Sequence, residues 1–360
     1  MPTEAGPGDA EGAGFVHHAC LYGSDAEFLA MAVPFVRDGL AAGEPVLAAV
    51  TPASIELLRG ALGERAYALD TAETAGFGRR PVERVRAFLR YHESRSRPGR
   101  RMRMLAEPVW TGKTARQVAE WKRMESGLNV LLAGLPVWMI CPYDLRAVPA
   151  DVAEAACATH PGRMDGRRLI PCPGYADPAA YVAGTGPQAA PAPAAAARLG
   201  PTARVAAVRL FARERAAGAG LTGERLELAV LAVCEAAGYL LAAGARVALR
   251  AWEEPGFLLW ELHSAQACPL PAFAGFRPPG VAPDPEDGLW LARSLSESLD
   301  AEAAGGRGAD HAAGGRAGVS PLMRATGERP PQVSRCAAGP PSGAPPRPGP
   351  PGRASGPGAG

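Results

Sequence analysis

Residues 137–144 read VWMICPYD, an apolar run of strand length that ends in a tyrosine and an aspartate. Upstream, short apolar runs such as HACLY (18–22) and EPVLAAV (44–50) alternate in the same way with amphipathic segments of helix length. Repeated units of this kind predict a parallel sheet that is covered by helices on both faces. The first half of the chain is therefore predicted to be an α/β domain.

Polar and aromatic residues follow these runs, and ligands bind at the carboxyl ends of strands in parallel sheets. We expect a small-molecule pocket there. Alternatively, these residues have structural roles: the carboxylates cap helices, the aromatic rings fill the core, and the histidine forms a hydrogen bond with a carbonyl at a helix end. For Tyr143 and His160, each taken singly, this structural role is favoured. The candidate pocket residues are Glu107, Trp110, Tyr143, Asp144 and His160.

Two other kinds of site are not supported by the sequence. GKT at 112–114 is similar to the end of a phosphate-binding P-loop, but that motif needs a glycine where this chain has Glu107. We interpret GKT as the start of a helix.

His17 and His18 are adjacent, so in a strand they point to opposite faces and cannot hold one metal ion together. No metal site is predicted.

Composition restricts the cellular compartment and the kinds of partner that we expect for this protein. The formal charge of the 360 residues is +2, and no block of Lys and Arg is long enough to follow a phosphate backbone, which disfavours direct nucleic-acid binding. The cysteines occur singly, without a CxxC pair, as is typical of a reducing compartment. No apolar stretch reaches the length of a membrane span. We expect a cytoplasmic protein that contacts neither membrane nor nucleic acid.

Composition also divides the chain. Residues 176–203 are rich in Ala and Pro and predict a flexible linker. From Ala203 onward two helices, a hairpin, a Pro-rich loop and a further helix predict an α+β domain. Gly and Pro dominate residues 301–360, which predicts disorder.

Phrases in residues 14–175 resemble the MEDS sensory domain of bacterial regulators. The resemblance implies a RecA-like α/β fold that is used for sensing and not for hydrolysis. The phrases are HHACLYGSDAEFL (17–29), RMRMLAEPVW (101–110), ESGLN (125–129), CPYD (141–144) and THP (159–161).

Residues 204–300 resemble the GHKL-type ATPase domain of anti-sigma-factor serine kinases. In the active family one helix carries a glutamate and, four residues later, an asparagine that holds magnesium. Here Glu235 is present, but Tyr239 takes the asparagine position, and a phenol is a poor ligand for Mg²⁺. The phrases that carry this resemblance are ELAVLAVCEAAGYLLAAG (227–244), PLPAFAGFRPPG (269–280) and DGLWLARSL (287–295).

Two further nucleotide-contacting positions of that family are altered. Ser264 stands where the family has an adenine-binding aspartate, and the Gly-x-Gly start of the last helix reads Glu286-Asp287-Gly288. Two carboxylates would repel the phosphates there. The resemblance thus implies a degenerate ATP site at Tyr239, Ser264 and Gly288, with Glu235 either a vestigial catalytic residue or a partly solvated helix residue.

The family's domain ends with a strand that this chain replaces by its low-complexity tail. Either the sheet keeps an exposed edge, or the tail reflects a change of reading frame. The predicted organisation is 1–13 disordered, 14–175 MEDS-like sensory domain, 176–203 linker, 204–300 degenerate kinase-like sandwich of the GHKL (Bergerat-like) type, and 301–360 disordered tail.

The function implied is that of a signalling regulator without ATP turnover or any cofactor. Its sensory domain would receive a small-molecule or redox cue, and its kinase-like domain would bind a sigma factor or an anti-anti-sigma protein. The alternative is an active serine kinase that uses Mg-ATP to phosphorylate an anti-anti-sigma factor. A histidine kinase is disfavoured, because the segment ahead of the kinase-like domain contains no histidine.

Overall fold

A computed structural model describes residues 14–185, 192–266, 268, 270–303 and 317–324. These residues form a mostly parallel sheet and a separate antiparallel sheet, each covered by helices. The disorder predicted for residues 1–13 lies outside the described residues. Within the described part of the chain, no helix is long and apolar enough to cross a membrane.

The N-terminal sheet contains the apolar runs that the sequence analysis interpreted as strands. Its order is β3-β2-β4-β5-β1-β6-β7, and neighbouring strands are parallel except for β6 and β7. The predicted parallel α/β sheet is confirmed. Its strands are β1 (Val16–Tyr22), β2 (Val46–Val50), β3 (Asp70–Glu73), β4 (Met102–Ala106), β5 (Val137–Asp144), β6 (Gly162–Asp165) and β7 (Arg168–Pro171).

Helices cover both faces of this sheet. The helix predicted after GKT is present, because Thr114 caps it: the Thr114 hydroxyl accepts the Gln117 N–H at 3.3 Å, and the Gln117 side chain accepts the Thr114 N–H at 2.7 Å. The helices are α1 (Asp25–Ala41), α2 (Pro52–Leu62), α3 (Pro81–Arg95), α4 (Ala115–Leu131), α5 (Ala150–Thr159) and α6 (Pro178–Thr185), with a short 3-10 helix at Gly63–Ala68.

The sheet separates two apolar cores, and β1 contributes to both because its side chains alternate. Val16, Cys20 and Tyr22 pack with α1 and α2, whereas Ala19 packs on the side of α3, α4 and α5. His17 and His18 also lie on opposite faces, as predicted. His18 accepts a hydrogen bond from the Trp138 indole N–H at 3.1 Å.

The second sheet is antiparallel, with the order β11-β12-β10-β9-β8. Helices cover one face and share a core with the sheet around Trp260, which is fully buried. The elements are β8 (Ala197–Thr202), α7 (Val205–Gly218), α8 (Gly223–Ala242), β9 (Val247–Glu254), β10 (Phe257–Ser264), α9 (Asp287–Leu295), β11 (Ser298–Ala303) and β12 (Ala317–Arg324).

The predicted linker at 176–203 contains regular structure. Helix α6 buries Tyr181, and Val182 packs on the core beside α4. Strand β8 pairs with β9 and extends the second sheet by one strand. Composition missed both elements because an edge strand and one anchored helical turn need few bulky side chains.

The predicted disordered tail at 301–360 also contains regular structure. Strand β12 lies between β10 and β11 and pairs with both. Tail residues therefore cover this edge of β10, whereas an exposed sheet edge was one of the two alternatives that the sequence left open. Backbone hydrogen bonds to a neighbour on each side hold such a strand in the sheet, and they do not require large side chains. Composition alone therefore did not predict this strand. Residues 301–303 of the predicted tail form the end of β11, and the rest of the tail, apart from β12, lies outside the described residues.

Helix α4 packs on one face of the N-terminal sheet and carries a polar contact with the second domain. The Arg293 side chain of α9 is 2% exposed and lies 3.1 Å from the Glu120 carboxylate, whose side chain is 6% exposed. Arg293 also donates to the Ala274 carbonyl at 2.9 Å and to the Leu299 carbonyl at 2.6 Å. This one guanidinium therefore joins α4 to three segments of the second domain: α9, the loop before it and β11.

The loop before α9 completes this contact. Phe273 and Phe276 belong to the apolar core on the α4 side of the N-terminal sheet. A Cβ atom at Gly127 of α4 would lie 2.7 Å from the Phe273 ring, so glycine is required for this close approach. Arg123 of α4 adds an ion pair to Asp300 of β11 at 3.2 Å. The two domains thus share buried residues.

We predict that deletion of residues 309–360, which removes β12, lowers the melting temperature by at least about 5 °C, because β10 and β11 both lose their pairing partner. Differential scanning calorimetry checks this. Deletion of residues 328–360 is the control and leaves β12 in place. Equal melting temperatures for both truncated proteins would contradict the assignment of β12.

Candidate functional site

A cleft opens at the carboxyl ends of β1, β2, β4 and β5, on the side of α1 and α2. We call it the carboxyl-edge cleft. Its volume is about 700 Å³, which is in the range of small-molecule sites. The polar lining residues are Tyr22, Asp25, Thr51, Ser54, Glu56, Glu107, Asp144 and Arg146.

Glu107 is the buried polar centre of this cleft. Its carboxylate accepts the Thr51 N–H at 2.9 Å, the Ser54 hydroxyl at 3.2 Å and the Tyr22 hydroxyl at 3.3 Å. Burial raises the pKa of Glu107, and the three donors oppose that shift. The carboxylate therefore ties together the ends of β1, β2 and β4, and it holds Tyr22 in the cleft wall.

Asp144 lies at the rim of the cleft and is engaged by Arg146. The Arg146 guanidinium donates to the Asp144 carboxylate at 2.8 Å and to the Asp25 carboxylate at 2.9 Å. These hydrogen bonds lower the pKa of Asp144. Glu107 and Asp144 thus line one cleft, and a ligand-binding role for both stays a prediction.

The other predicted pocket residues lie elsewhere. Trp110 is 5% exposed and stacks on Tyr143 with ring centroids 6.2 Å apart, on the α4 side of the sheet. Tyr143 in turn meets the His160 ring edge-on at 5.9 Å. These three side chains fill the core across the sheet from the cleft, because Tyr143 points to the opposite face from Tyr22.

A polar cluster lies in this core, and we call it the His17 cluster: His17, Glu125, Cys141 and His160. All four residues are buried, and the ligand atom that each offers lies within 4.8 Å of the others. His17 Nε2 is 3.3 Å from Cys141 Sγ and 3.7 Å from Glu125 Oε2. His160 Nε2 is also 3.7 Å from Glu125 Oε2.

Neighbouring groups orient both imidazole rings of the cluster. His160 Nδ1 lies 2.8 Å from the Ala156 carbonyl, which accepts its proton. This is the carbonyl contact at a helix end that was predicted for His160. Asn129 donates its amide to the Thr159 carbonyl at 2.9 Å and thereby turns its own carbonyl toward His17 Nδ1, 3.2 Å away. Both rings therefore present Nε2 as an acceptor toward Glu125.

Burial dominates the ionisation of these groups. It lowers the pKa of His160 to about 3 and the pKa of His17 well below its usual value. It raises the pKa of Glu125 to about 7 and the pKa of the Cys141 thiol well above its usual value. In the absence of a metal ion, burial therefore favours the neutral form of each of these four side chains.

This cluster was not predicted from the sequence, because the adjacent pair His17 and His18 gives no indication of the distant residues that surround His17. The four residues come from β1, α4, β5 and the end of α5, which only the fold brings together. A signal was nevertheless present, since each of the four lies in a phrase that carried the MEDS resemblance. Those phrases are HHACLYGSDAEFL (17–29), ESGLN (125–129), CPYD (141–144) and THP (159–161).

The predicted nucleotide positions of the second domain lie around α8. Glu235 lies against the first turn of α9, where a Cβ atom at Gly288 would be 3.0 Å from its carboxylate. Tyr239 is one turn further along α8 and is buried, which raises its pKa to about 12. Ser264 ends β10, and its hydroxyl accepts the Gln266 N–H at 3.0 Å.

Carboxylates accept the backbone N–H groups around the start of α9. Glu286 accepts the Gly275 N–H at 3.2 Å, Asp284 accepts the Glu286 N–H at 2.8 Å, and Asp287 accepts the Asp284 N–H at 3.0 Å. Free N–H groups at a helix start bind phosphate. Here Asp284, Glu286 and Asp287 instead place carboxylates beside the start of α9.

We predict that Trp110→Ala lowers the free energy of unfolding by about 3–5 kcal/mol, because it empties a buried aromatic site. Chemical denaturation measures the change. Tyr67 is 93% exposed, so Tyr67→Ala is the matched control and should change stability by less than about 0.5 kcal/mol. If Trp110→Ala has an equally small effect on stability, Trp110 does not act as a core residue and is again a candidate for the predicted ligand pocket.

Comparison with known protein families agrees with this geometry for the N-terminal domain. Residues 16–161 match the family model described as MEDS, the MEthanogen/methylotroph, DcmR Sensory domain. The matched residues include the whole His17 cluster and the cleft residues Glu107 and Asp144. No family match supports the GHKL resemblance of residues 204–300, and no curated protein matches the chain. Residues 16–161 are thus similar to the MEDS sensory domain.

Proposed function

We propose that the protein is a cytoplasmic signalling regulator in which the MEDS domain controls a kinase-like domain that no longer turns over ATP. In this proposal the N-terminal domain is RecA-like and the second domain is a GHKL-type sandwich. The strand order with one antiparallel edge strand supports the first assignment, and the helices on one face of an antiparallel sheet support the second. The partner is a sigma factor or an anti-anti-sigma protein, as the resemblance to anti-sigma kinases implies.

The observation that carries this proposal is that α4 packs on the N-terminal sheet and also contacts the second domain. One side of α4 packs Trp121 and Leu128 on the N-terminal sheet, and Glu125 on that side belongs to the His17 cluster. Another side presents Glu120 and Gly127 to Arg293 and Phe273 of the second domain. A change at the sensory core that displaces α4 must therefore move buried groups of the second domain.

The loop before α9 is the part of the second domain that α4 holds. Phe273 packs on Gly127, and Arg293 binds the Ala274 carbonyl of the same loop. This loop also supplies the Gly275 N–H to Glu286 at the start of α9. A signal that moves α4 would thus reorganise the loop and the start of α9, which we propose as the surface that the partner reads.

The contacts around α8 and α9 support loss of ATP turnover. Asp284, Glu286 and Asp287 place negative charge where the family binds phosphate, and Glu286 and Asp284 also act on the buried Tyr239 phenol. Repulsion between these carboxylates and a triphosphate opposes binding. Tyr239 in place of an asparagine removes the oxygen ligand that Mg²⁺ requires.

We predict that Gly127→Ala increases amide hydrogen exchange in residues 270–276, because the new methyl group displaces the Phe273 ring. Hydrogen-exchange mass spectrometry of the full chain measures this. Gly184 of α6 has open space around it, so Gly184→Ala is the matched control and should leave the loop unchanged. If Gly127→Ala also leaves the exchange of residues 270–276 unchanged, α4 does not control the loop.

We predict that the full-length protein shows no saturable Mg-ATP binding. Isothermal titration with protein at tens of micromolar checks this directly. Glu286→Gly restores the family's first glycine and removes one carboxylate, so any gain of binding in this variant identifies that charge as the obstacle. One-to-one binding by the unaltered protein would favour the active serine kinase instead.

A further inference from the structure

We infer that His17, Glu125, Cys141 and His160 bind a divalent metal ion of the zinc class inside the MEDS domain. This site goes beyond the proposed function, because it involves neither the second domain nor any partner. The inference rests on four observations: the donor types, the distances between them, the acceptors that lack a donor, and the groups that orient the rings.

The donor set is the first observation. Two imidazole nitrogens, one thiol sulfur and one carboxylate oxygen converge in the core. Zinc takes this mixture of nitrogen, sulfur and oxygen ligands, whereas Mg²⁺ and Ca²⁺ prefer oxygen ligands throughout. The chemistry of the set therefore selects zinc and ions that resemble it.

The distances are the second observation. Donors placed about 2.1 Å from a metal ion at the corners of a tetrahedron are about 3.4 Å apart. His17 Nε2 lies 3.3 Å from Cys141 Sγ and 3.7 Å from Glu125 Oε2, and His160 Nε2 lies 3.7 Å from Glu125 Oε2. These three edges fit a tetrahedral ion after shifts of a few tenths of an ångström, and all the donor atoms lie within 4.8 Å of one another. A separation of 3.7 Å is too long for an O–H···N hydrogen bond.

The third observation is that the buried acceptors lack donors. Within the described residues, Glu125 Oε2 and His160 Nε2 have no hydrogen-bond partner, although both are buried. A buried polar atom without a partner costs about 1–3 kcal/mol and needs an explanation. One cation between the two atoms satisfies both, together with His17 Nε2.

The fourth observation is the orientation of the ligands by their neighbours. His160 Nδ1 donates to the Ala156 carbonyl and His17 Nδ1 faces the Asn129 carbonyl, so each ring directs Nε2 inward. Metal-binding histidines are held in this way by a partner on the second ring nitrogen. Asn129 is one helical turn after Glu125 on α4, so one helix supplies both a ligand and a group that orients a second ligand.

The charge around the site is compatible with a metal ion. A thiolate and a carboxylate together neutralise a divalent cation. The Arg84 side chain interacts electrostatically with Glu125 and Cys141. Its guanidinium donates to the Glu107 carbonyl at 2.9 Å and to the Thr74 hydroxyl at 3.0 Å, so it is held by those groups.

The first test measures the metal content of the full-length protein expressed with added zinc and washed with a chelator. We expect about one zinc ion per chain, measured by inductively coupled plasma mass spectrometry. His17→Asn and Cys141→Ser should each lower the bound zinc at least about tenfold. His18→Asn and Cys20→Ser are the matched controls, because they alter buried residues of the same types on the opposite face of β1, and they should retain the ion.

Cobalt substitution tests the site without dependence on how well the variants fold. The unaltered protein prepared with Co²⁺ should show the visible absorption of a tetrahedral ion and a thiolate-to-cobalt band in the near ultraviolet. Cys141→Ser should lose the thiolate band. A folded wild-type protein without stoichiometric zinc and without this band overturns the inference, as does equal zinc retention by His17→Asn and His18→Asn.

Discussion

The buried ion pair between Glu120 and Arg293 determines how the two domains meet. Removing two charges from water is costly, and such a pair is retained where its geometry is well satisfied by further hydrogen bonds. Arg293 meets this condition through the Ala274 and Leu299 carbonyls and through the Phe276 ring, 4.3 Å from the guanidinium carbon. A change in the position of α4 would leave a charge buried without its partner, so the position of the helix is strongly constrained.

That constraint extends to the sensory core because α4 has polar residues buried on two sides. Glu125 and Asn129 act in the His17 cluster, while Glu120 and Gly127 act at the contact with the second domain. A ligand or metal ion bound in the N-terminal domain would thus have a short physical route to the loop before α9. The route consists of one helix and the side chains that pack directly on it, and no long chain of intermediates is required.

The two candidate regions of the sensory domain suit different ligands. The carboxyl-edge cleft is open to solvent and is lined by Glu107 and Tyr22, which suits a small polar molecule. The His17 cluster is closed and small, which suits a single ion. Because β1 separates the two regions and contributes Tyr22 to one and His17 to the other, occupation of either region acts on the same strand.

The sequence by itself determined the α/β class of the first domain, because continuous apolar runs such as 46–50 and 137–143 allow burial on both faces of a sheet. It also determined that polar residues would gather at the carboxyl edge, since that edge follows from parallel strands. Only the tertiary structure decided which face each side chain occupies, and this separated Trp110 and Tyr143 from Glu107. Only the tertiary structure joined His17 to His160, because residues that lie far apart in the chain meet through packing and leave no local pattern. The placement of β12 and α4 has the same cause: backbone pairing and shared burial are properties of neighbours in space, not of composition.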